Sequence, residues 1–407
     1  MIDLKHLRDH PDAYRRSAKL RGLTVDIDAL LAADKQRTEL VGQVDRLRAD
    51  LNAKGKPAAA QLKKLQAAKV KLEPLEAALA KTEAHLDHLA QMVPNLLAPD
   101  TPEGGEAANR EEKTWGKAEA REVQDHLTLA AANGWLDFGR GAKVAGSKFY
   151  FTKGALVKLE LALLRMLFDL LEERGFTLMQ VPHLANTRIM NGTGFNPRGD
   201  EKQIYELKGE DLSLIATAEI PLTGYHADEI IDPEQLPLAY AACSPAYRRE
   251  AGAYGKHSQG LYRVHQFNKL EMYVFCTAAD SERWHQQLVE IEEHICQQLE
   301  LPYRLVRIAA GDLGAPAYKK YDLEYWSPAD QAYRELTSCS NCTDYQARRL
   351  NIRTRGADGK PEFVHTLNGT AAAFSRLPLA LLENHQTKEG KVHLPKALQA
   401  YYGAEVL

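Results

Sequence analysis

The sequence predicts an α+β chain: an antiparallel α-helical coiled-coil hairpin, then an antiparallel sheet flanked by helices. Three observations predict it. Roughly the first 100 residues carry heptad-spaced leucines and hardly any aromatics. The remainder mixes short β-rich runs with amphipathic helices, without the alternation of a βαβ fold. No glycine-rich loop of Walker or Rossmann type is present, so a nucleotide would have to lie on a sheet face.

Composition sets outer bounds. The chain has 407 residues, 44% hydrophobic and 26% charged, enough for two or three domains. A net charge of −3 excludes global attraction to nucleic acid, so any such contact must come from local patches. No apolar run approaches the roughly 20 residues that span a bilayer. Met1 to Arg16 is charged throughout, which predicts a cytoplasmic protein with no membrane partner. Of the cysteines, Cys339-Ser-Asn-Cys342 has C-x-x-C spacing. No second pair or neighbouring His completes a zinc set, so it reads as two reduced structural thiols.

In chain order, residues 1–100 form the first domain, with the hairpin over about 28–93. Leu40, Val44, Leu47 and Leu51 make one seam. Leu65, Leu72, Leu79, Leu86 and Val93 make the other, with Ala68, Leu75, Thr82 and Leu89 between them. Gly55-Lys-Pro57 turns the chain, and Pro74 either kinks the second helix or breaks it. Arg46, Arg48, Lys54, Lys56, Lys63, Lys64, Lys69 and Lys71 face the single acid Asp50, giving a basic tip. Such a run is either a solvated face or a phosphate-backbone contact. With so few aromatics, that contact would read shape rather than bases.

Residues 101–122, with Pro102, Gly104 and Gly105, read as a linker to a second domain over 123–407. There, Ala155 to Arg174 is an amphipathic helix capped by Gly175, and Phe176 to Val181 is a strand stopped by Pro182. Glu282 to Leu299 is a second helix before Pro302. Residues 212–216, 261–267, 270–277, 321–326 and 332–337 are β-like.

The chemistry concentrates between Tyr247 and Glu271. Tyr-Arg-Arg-Glu, an Ala-Gly-Ala-Tyr-Gly turn and a return run form a hairpin pattern. Alternation puts Arg248 and Glu250 on one face and Arg249 on the other. Phe267, Lys269 and Glu271 share a face of the return strand. Arginine forks suit phosphates, and a ring beside them can stack on a purine. Thr217-Ala-Glu219 offers an exposed hydroxyl and carboxylate for an ammonium group. Glu335 with Ser338 offers oxygens for Mg²⁺ carried on phosphates. Leu367-Asn-Gly-Thr-Ala-Ala-Ala-Phe-Ser-Arg376 reads as a Gly turn leading into a helix, with Arg376 at its start. The bland alternatives are a core Phe, surface strands and a tight packing joint.

Together these segments resemble class II aminoacyl-tRNA synthetases, and specifically the seryl-tRNA synthetase family. Gly175 to Pro182 is similar to motif 1, Tyr247 to Glu271 to motif 2 and Gly369 to Arg376 to motif 3. The helical arm and the Thr-Ala-Glu and Glu-Leu-Thr-Ser-Cys-Ser-Asn-Cys segments stand in the family's order. The resemblance implies a class II catalytic sheet, ATP and Mg²⁺, L-serine and tRNA(Ser), and a homodimer built through motif 1. It implies catalytic roles for Arg248, Glu335 and Arg376. Serine would meet Thr217, Glu219, Arg248, Glu271, Asn368 and Thr370. ATP would meet Arg248, Arg249, Glu250, Phe267, Glu335, Leu336, Thr337, Ser338 and Arg376. Mg²⁺ would sit on Glu335 and Ser338, and the basic hairpin would meet the tRNA. The implied reaction joins serine to tRNA through seryl-adenylate. The alternative is a paralogue that loads a carrier protein, a kind of relative that lacks the arm. Motif 3 departs from many bacterial relatives at Ala371, which would add a methyl near the ligand, and at Leu377-Pro378, which would remove a polar contact at the helix start.

Overall fold

The computed structural model describes residues 2–52, 59–195, 204–250 and 260–407, with the side chains of 59–64 also outside the description. The chain divides into two compact units, Met1–Leu96 and Leu97–Leu407.

The first unit holds helices α1 (Leu4–Asp9), α2 (Pro11–Leu20), α3 (Ile27–Leu51) and α4 (Ala59–Met92). Asp26 caps α3 by accepting from the Ala29 amide at 2.8 Å, and Pro11 opens α2 where no amide donor is needed. The heptad seam is real but graded. Val44, Leu86, Leu89 and Val93 are buried, whereas Leu47, Leu51, Leu65, Leu72, Leu75 and Leu79 are half-buried, as a two-helix arm without further cover requires. α4 runs unbroken through Pro74, so the break is excluded. Pro74 lies on the exposed side, where water can take up the carbonyl that it leaves without a donor.

The second unit is built on an eight-stranded sheet among the described residues. Its strands and site-bearing helices are β1 (Arg110–Trp115), α5 (Ala155–Glu173), β2 (Thr177–Met179), α6 (Glu219–Tyr225), β3 (Leu238–Tyr247), β4 (Gln266–Cys276), α7 (Ser281–Gln298), β5 (Tyr303–Arg307), β6 (Lys319–Ser327), β7 (Ala332–Thr343), α8 (Tyr345–Leu350), β8 (His365–Ala373) and α9 (Leu377–Asn384). The spatial order is β1-β5-β6-β7-β8-β4-β3-β2, antiparallel except for the parallel pair of β2 with β3. Gly175 ends α5 at φ 85, and Phe176 N–H reaches back to the Leu171 carbonyl at 2.9 Å, a Schellman closure.

Strand alternation makes two layers out of one strand. Leu270, Met272, Val274 and Cys276 of β4 enter the large core beneath α5, α7 and α9. Tyr273 and Phe275 enter a second core with Leu222 of α6 and Ala347 and Leu350 of α8. The odd-numbered face thus opens, from Tyr273 toward Phe267, out of an apolar layer into a polar one.

Several expectations change. The 101–122 segment is not all linker, because residues 110–115 form the edge strand β1 on β5. Its Arg-Glu-Glu-Lys composition hid it. Every residue of the strand is exposed, and the charges pair sideways, Glu112 with Arg307 at 2.8 Å and Lys113 with Glu293 at 2.7 Å. Residues 212–216 contribute only Ser213–Leu214, paired with Leu184–Ala185 outside the main sheet. Residues 261–267 and 270–277 are not two strands. β4 is continuous from Gln266, where its last β3 partner, Tyr247, lies. Gly369 is in no turn. It sits mid-strand in β8, where a Cβ would meet Glu292 Oε1 and Met272 Cε at 3.1 Å. The Ala-Gly-Ala-Tyr-Gly turn falls in 251–259, outside the described residues.

Candidate active site

The candidate site is an open cavity on the polar face of β4, β7 and β8. Arg248, Glu250, Phe267, Glu335, Leu336, Thr337, Ser338, Thr370 and Arg376 line it. Guanidiniums from two distant segments therefore meet at one space. Arg248, just past β3, donates through Nε to the Ala216 carbonyl at 3.4 Å, and its Cζ lies 5.3 Å from the Phe267 ring. Arg376 caps α9 and meets Glu335 Oε1 at 3.1 Å. Burial first, then Arg376, lowers the Arg248 pKa, because two cations facing one space oppose each other until an anion enters.

Two bulges make this possible. In a regular strand, Glu335 and Ser338 at i, i+3 would point to opposite faces. In β7, Leu323 faces Thr337 while Glu324 faces Glu335, so Leu336 is the extra residue and the phase resets. In β8, Thr370 faces Glu271 while Ala372 faces Leu270, so Ala371 is the extra residue. That bulge brings Ala373 and Arg376 to the cavity that Thr370 lines. Ala371 is itself buried at 1% exposure in the large core, so its methyl points away from the cavity.

Glu250 is not on a strand. It follows β3 at φ 47 and accepts from Arg263 at 3.0 Å, yet its carboxylate still lines the cavity. Arg249 does not line it; this side chain is exposed, with its Cζ 5.8 Å from the Tyr205 ring. Leu336 packs in the core, and the Thr337 hydroxyl turns to Glu292, so backbone is what both offer to the cavity.

Thr217 and Glu219 are buried rather than exposed, because they stand where α6 begins under the second core. The Thr217 hydroxyl donates to Glu271 Oε2 at 2.8 Å, not to Glu219. Asn368 Nδ2 donates to Glu219 Oε1 at 2.9 Å. Glu271 Oε1 is buried and, among the described residues, has no hydrogen-bond partner. Burial first, then the charge of Glu271, pushes the Glu219 carboxyl up to about 7.

Glu335 is opposite in character. Burial would raise it, but Arg376, Lys320 and Arg248 together hold it down at about 2. One ionised carboxylate and the Ser338 hydroxyl, crowded by cations, fit a Mg²⁺ ion that arrives on phosphates rather than alone.

A space lined by arginines, whose lining residue Thr370 is the strand partner of the buried Glu271, suits ATP beside a small polar substrate. Residues 203–385 match the family described as the tRNA synthetase class II core domain (G, H, P, S and T), and residues 1–97 match the seryl-tRNA synthetase N-terminal domain. The chain is 46% identical to the serine–tRNA ligase of Dictyoglomus turgidum, covering 99% of this chain and 98% of that one. The chain belongs to the seryl-tRNA synthetase family. These are class II, ATP-dependent serine–tRNA ligases. The Rubrobacter xylanophilus serine–tRNA ligase is 45% identical over 100% of this chain and 99% of its own. The seryl-tRNA synthetase of Pyrococcus horikoshii, solved with ATP, superposes with a TM-score of 0.91 at 38% identity, covering 100% of this chain and 99% of that one. The cytoplasmic serine–tRNA ligase of Naegleria fowleri, solved with AMP, gives 0.84 at 31% identity over 97% and 94%.

Within that frame, three residues had no site role assigned from the sequence. Lys269 lies on the noted face and forms an ion pair with Glu271, its ammonium 3.4 Å from the Thr217 hydroxyl. Glu292 of α7 accepts from the Thr370 amide at 2.9 Å and the Thr337 hydroxyl at 2.7 Å, and burial raises its pKa well above the ordinary value. The available signal was an acid in the apolar stripe of Leu288, Ile291 and Ile295. Gln346 of α8 carried no signal at all.

The C-x-x-C thiols are buried on β7: Cys339 Sγ meets the His285 carbonyl at 3.8 Å, and Cys342 Sγ accepts from Asn368 at 3.9 Å. On the arm, Arg46, Lys69 and Lys71 are exposed, while Arg48 pairs with Glu76 at 2.7 Å. Lys54, Lys56 and the side chains of Lys63 and Lys64 lie outside the described residues. No described helix is long and apolar enough to cross a membrane.

Proposed function

We propose that the chain activates L-serine with ATP, forming seryl-adenylate and pyrophosphate, and transfers the seryl group to the 3′ end of tRNA(Ser). The observation that supports this is the meeting of Arg248, Phe267, Glu335 and Arg376 at one cavity that also receives Thr370, the β8 partner of Glu271. The adenine stacks on Phe267 beside Glu250, and Arg376 reaches the γ-phosphate. Arg248 grips the α-phosphate and the serine carboxylate. Thr217 and Glu219 receive the ammonium, while Glu271, Asn368 and Thr370 surround the hydroxyl.

A serine carboxylate oxygen then attacks the α-phosphorus in line, and the bond to the bridging oxygen breaks to release pyrophosphate. Arg248 and Arg376 neutralise the charge that develops, and positioning supplies most of the remaining barrier reduction. Mg²⁺, held with the phosphates by Glu335 and Ser338, would add charge neutralisation there. In the second step a ribose hydroxyl of the tRNA end attacks the acyl carbon, and AMP leaves.

The unpartnered Glu271 Oε1 gives selectivity. With alanine bound it stays unpaired, a penalty of roughly 1–3 kcal/mol. Threonine is excluded by size.

The basic arm carries tRNA(Ser) by its backbone. The protein works in the cytoplasm as a homodimer through the motif 1 region, preceded by α5 with Val157 and Leu161 exposed at 42% and 61%. Serine-dependent ATP–pyrophosphate exchange and charging of total tRNA test the whole reading. Both are expected. Exchange without charging would favour a carrier-loading enzyme, and absence of exchange would refute the proposal. Reversing Lys54, Lys56, Lys63 and Lys64 to Glu should raise the tRNA KM about tenfold or more by losing phosphate contacts. Exchange should stay intact, and equal damage to both steps would remove the arm from tRNA binding.

A further inference from the structure

We propose that Gln346, a residue of α8 that touches no substrate, positions Glu219 for the substrate's ammonium group by holding one carboxylate oxygen and leaving the other open. The inference rests on the serine reading above and deepens it.

Donor and acceptor accounting carries it. The Gln346 side chain is fully buried, and every hydrogen-bonding position of its amide is used. Nε2 lies 3.1 Å from the Thr193 carbonyl, which can only accept, so the nitrogen must be on that side. Its second hydrogen goes to Glu219 Oε1 at 2.7 Å. Oε1 of the amide then faces the hydroxyls of Tyr273 and Thr366, each at 2.7 Å, and both must donate. The amide cannot flip without setting its oxygen against both the Thr193 carbonyl and Glu219 Oε1, neither of which can donate in the ionised state.

The consequence falls on Glu219. Gln346 and Asn368 both donate to Oε1, at 2.7 and 2.9 Å. Among the described residues no hydrogen bond reaches Oε2. One oxygen is thus saturated by two fixed amides, and the other is the acceptor left for a cation. The Thr223 hydroxyl lies 2.7 Å from both the Tyr273 hydroxyl and the Glu219 carbonyl, so with Tyr273 donating to Gln346 its one proton is shared between these two acceptors. Two amide donors also oppose the burial and the nearby Glu271 charge that favour the protonated form, and the Lys269 ammonium acts in the same direction as the amides.

The test is pyrophosphate exchange on the full chain with Gln346→Met, which cannot donate, and Gln346→Glu, which keeps the shape but sets a second carboxyl against Glu219. The serine KM should rise about tenfold or more, the loss of a hydrogen bond to a charged group. The ATP KM should stay within about twofold and the melting temperature near that of the parent. A purely structural role would move both KM values with the melting temperature. Unchanged serine KM in both variants overturns the proposal. If both fail to fold, the Tyr273→Phe, Thr366→Val double variant is read by the same criterion, because it removes both partners of the amide oxygen and loosens the hold on Glu219 while keeping Gln346. A parent chain without serine-dependent exchange would instead refute the serine reading itself.

Discussion

The outer and inner halves of the site are built on opposite principles. In the outer half, Arg248, Phe267, Glu335 and Arg376 border open space and lean on one another through charge and stacking. In the inner half, Thr217, Glu219, Glu271 and Asn368 are nine-tenths buried or more and are bound by hydrogen bonds to one another and from Gln346 of α8. The outer half keeps unmet charge and waits for an anion that supplies the missing partner. The inner half keeps little unmet: among the described residues, one oxygen of Glu271 and Oε2 of Glu219 are left over. The difference separates rate from selectivity. Charges facing open space can stabilise charge that develops late, whereas a rigid, nearly saturated recess rejects a ligand that leaves a group unpaired.

The largest effect should come from the outer half. Arg248→Ala and Arg376→Ala should each lower kcat by about 10²- to 10³-fold, measured by pyrophosphate exchange. Thr370→Ala should act through the inner half, raising the serine KM by roughly 5- to 150-fold, equal to about 1–3 kcal/mol, with the ATP KM unmoved. If Thr370→Ala changed the ATP KM equally, the two halves would not be separate.

A pH profile sharpens the same division. The ammonium needs ionised Glu219, whose carboxyl is pushed up to about 7, first by burial. Below that value kcat/KM for serine should fall about tenfold per pH unit, and above it should level off. Glu219→Gln should leave a low, flat acid side. Folded, this group holds its proton more tightly than its ordinary value of 4.5 allows, so its contribution to stability declines as pH rises from 4.5 to about 7. The smallest effect belongs to Phe267→Leu. It keeps an apolar floor but loses ring stacking, about 0.5–1.5 kcal/mol, so the ATP KM should rise roughly two- to tenfold.

The two halves were also unequally legible. Period-2 alternation placed Phe267, Lys269 and Glu271 on one face, and of the paired arginines Arg248 lines the cavity while Arg249 does not. Heptad spacing located the arm because a seam of leucines has one structural use. What alternation could not foresee were the bulges at Leu336 and Ala371, since an inserted residue reverses the phase and depends on the partner strand. Strand β1 stayed hidden because an exposed edge needs no apolar alternation. Gln346 and Glu292 were illegible for another reason. Each acts through a contact made only after distant segments pack, Gln346 with Glu219 and Glu292 with Thr370. A lone Gln on a six-residue helix has no pattern to betray it.

The central claim is that the triphosphate lies in the open arginine-lined half while the amino acid enters the closed half beside it. A crystal structure with a non-hydrolysable seryl-adenylate analogue tests it most directly. The account predicts the adenine against Phe267, the phosphate mimic on Arg248, the serine hydroxyl within hydrogen-bond distance of Glu271 and Thr370, and the ammonium at Glu219 Oε2. An analogue bound with its seryl group outside that recess, or with Arg248 turned away from the phosphate, would contradict it.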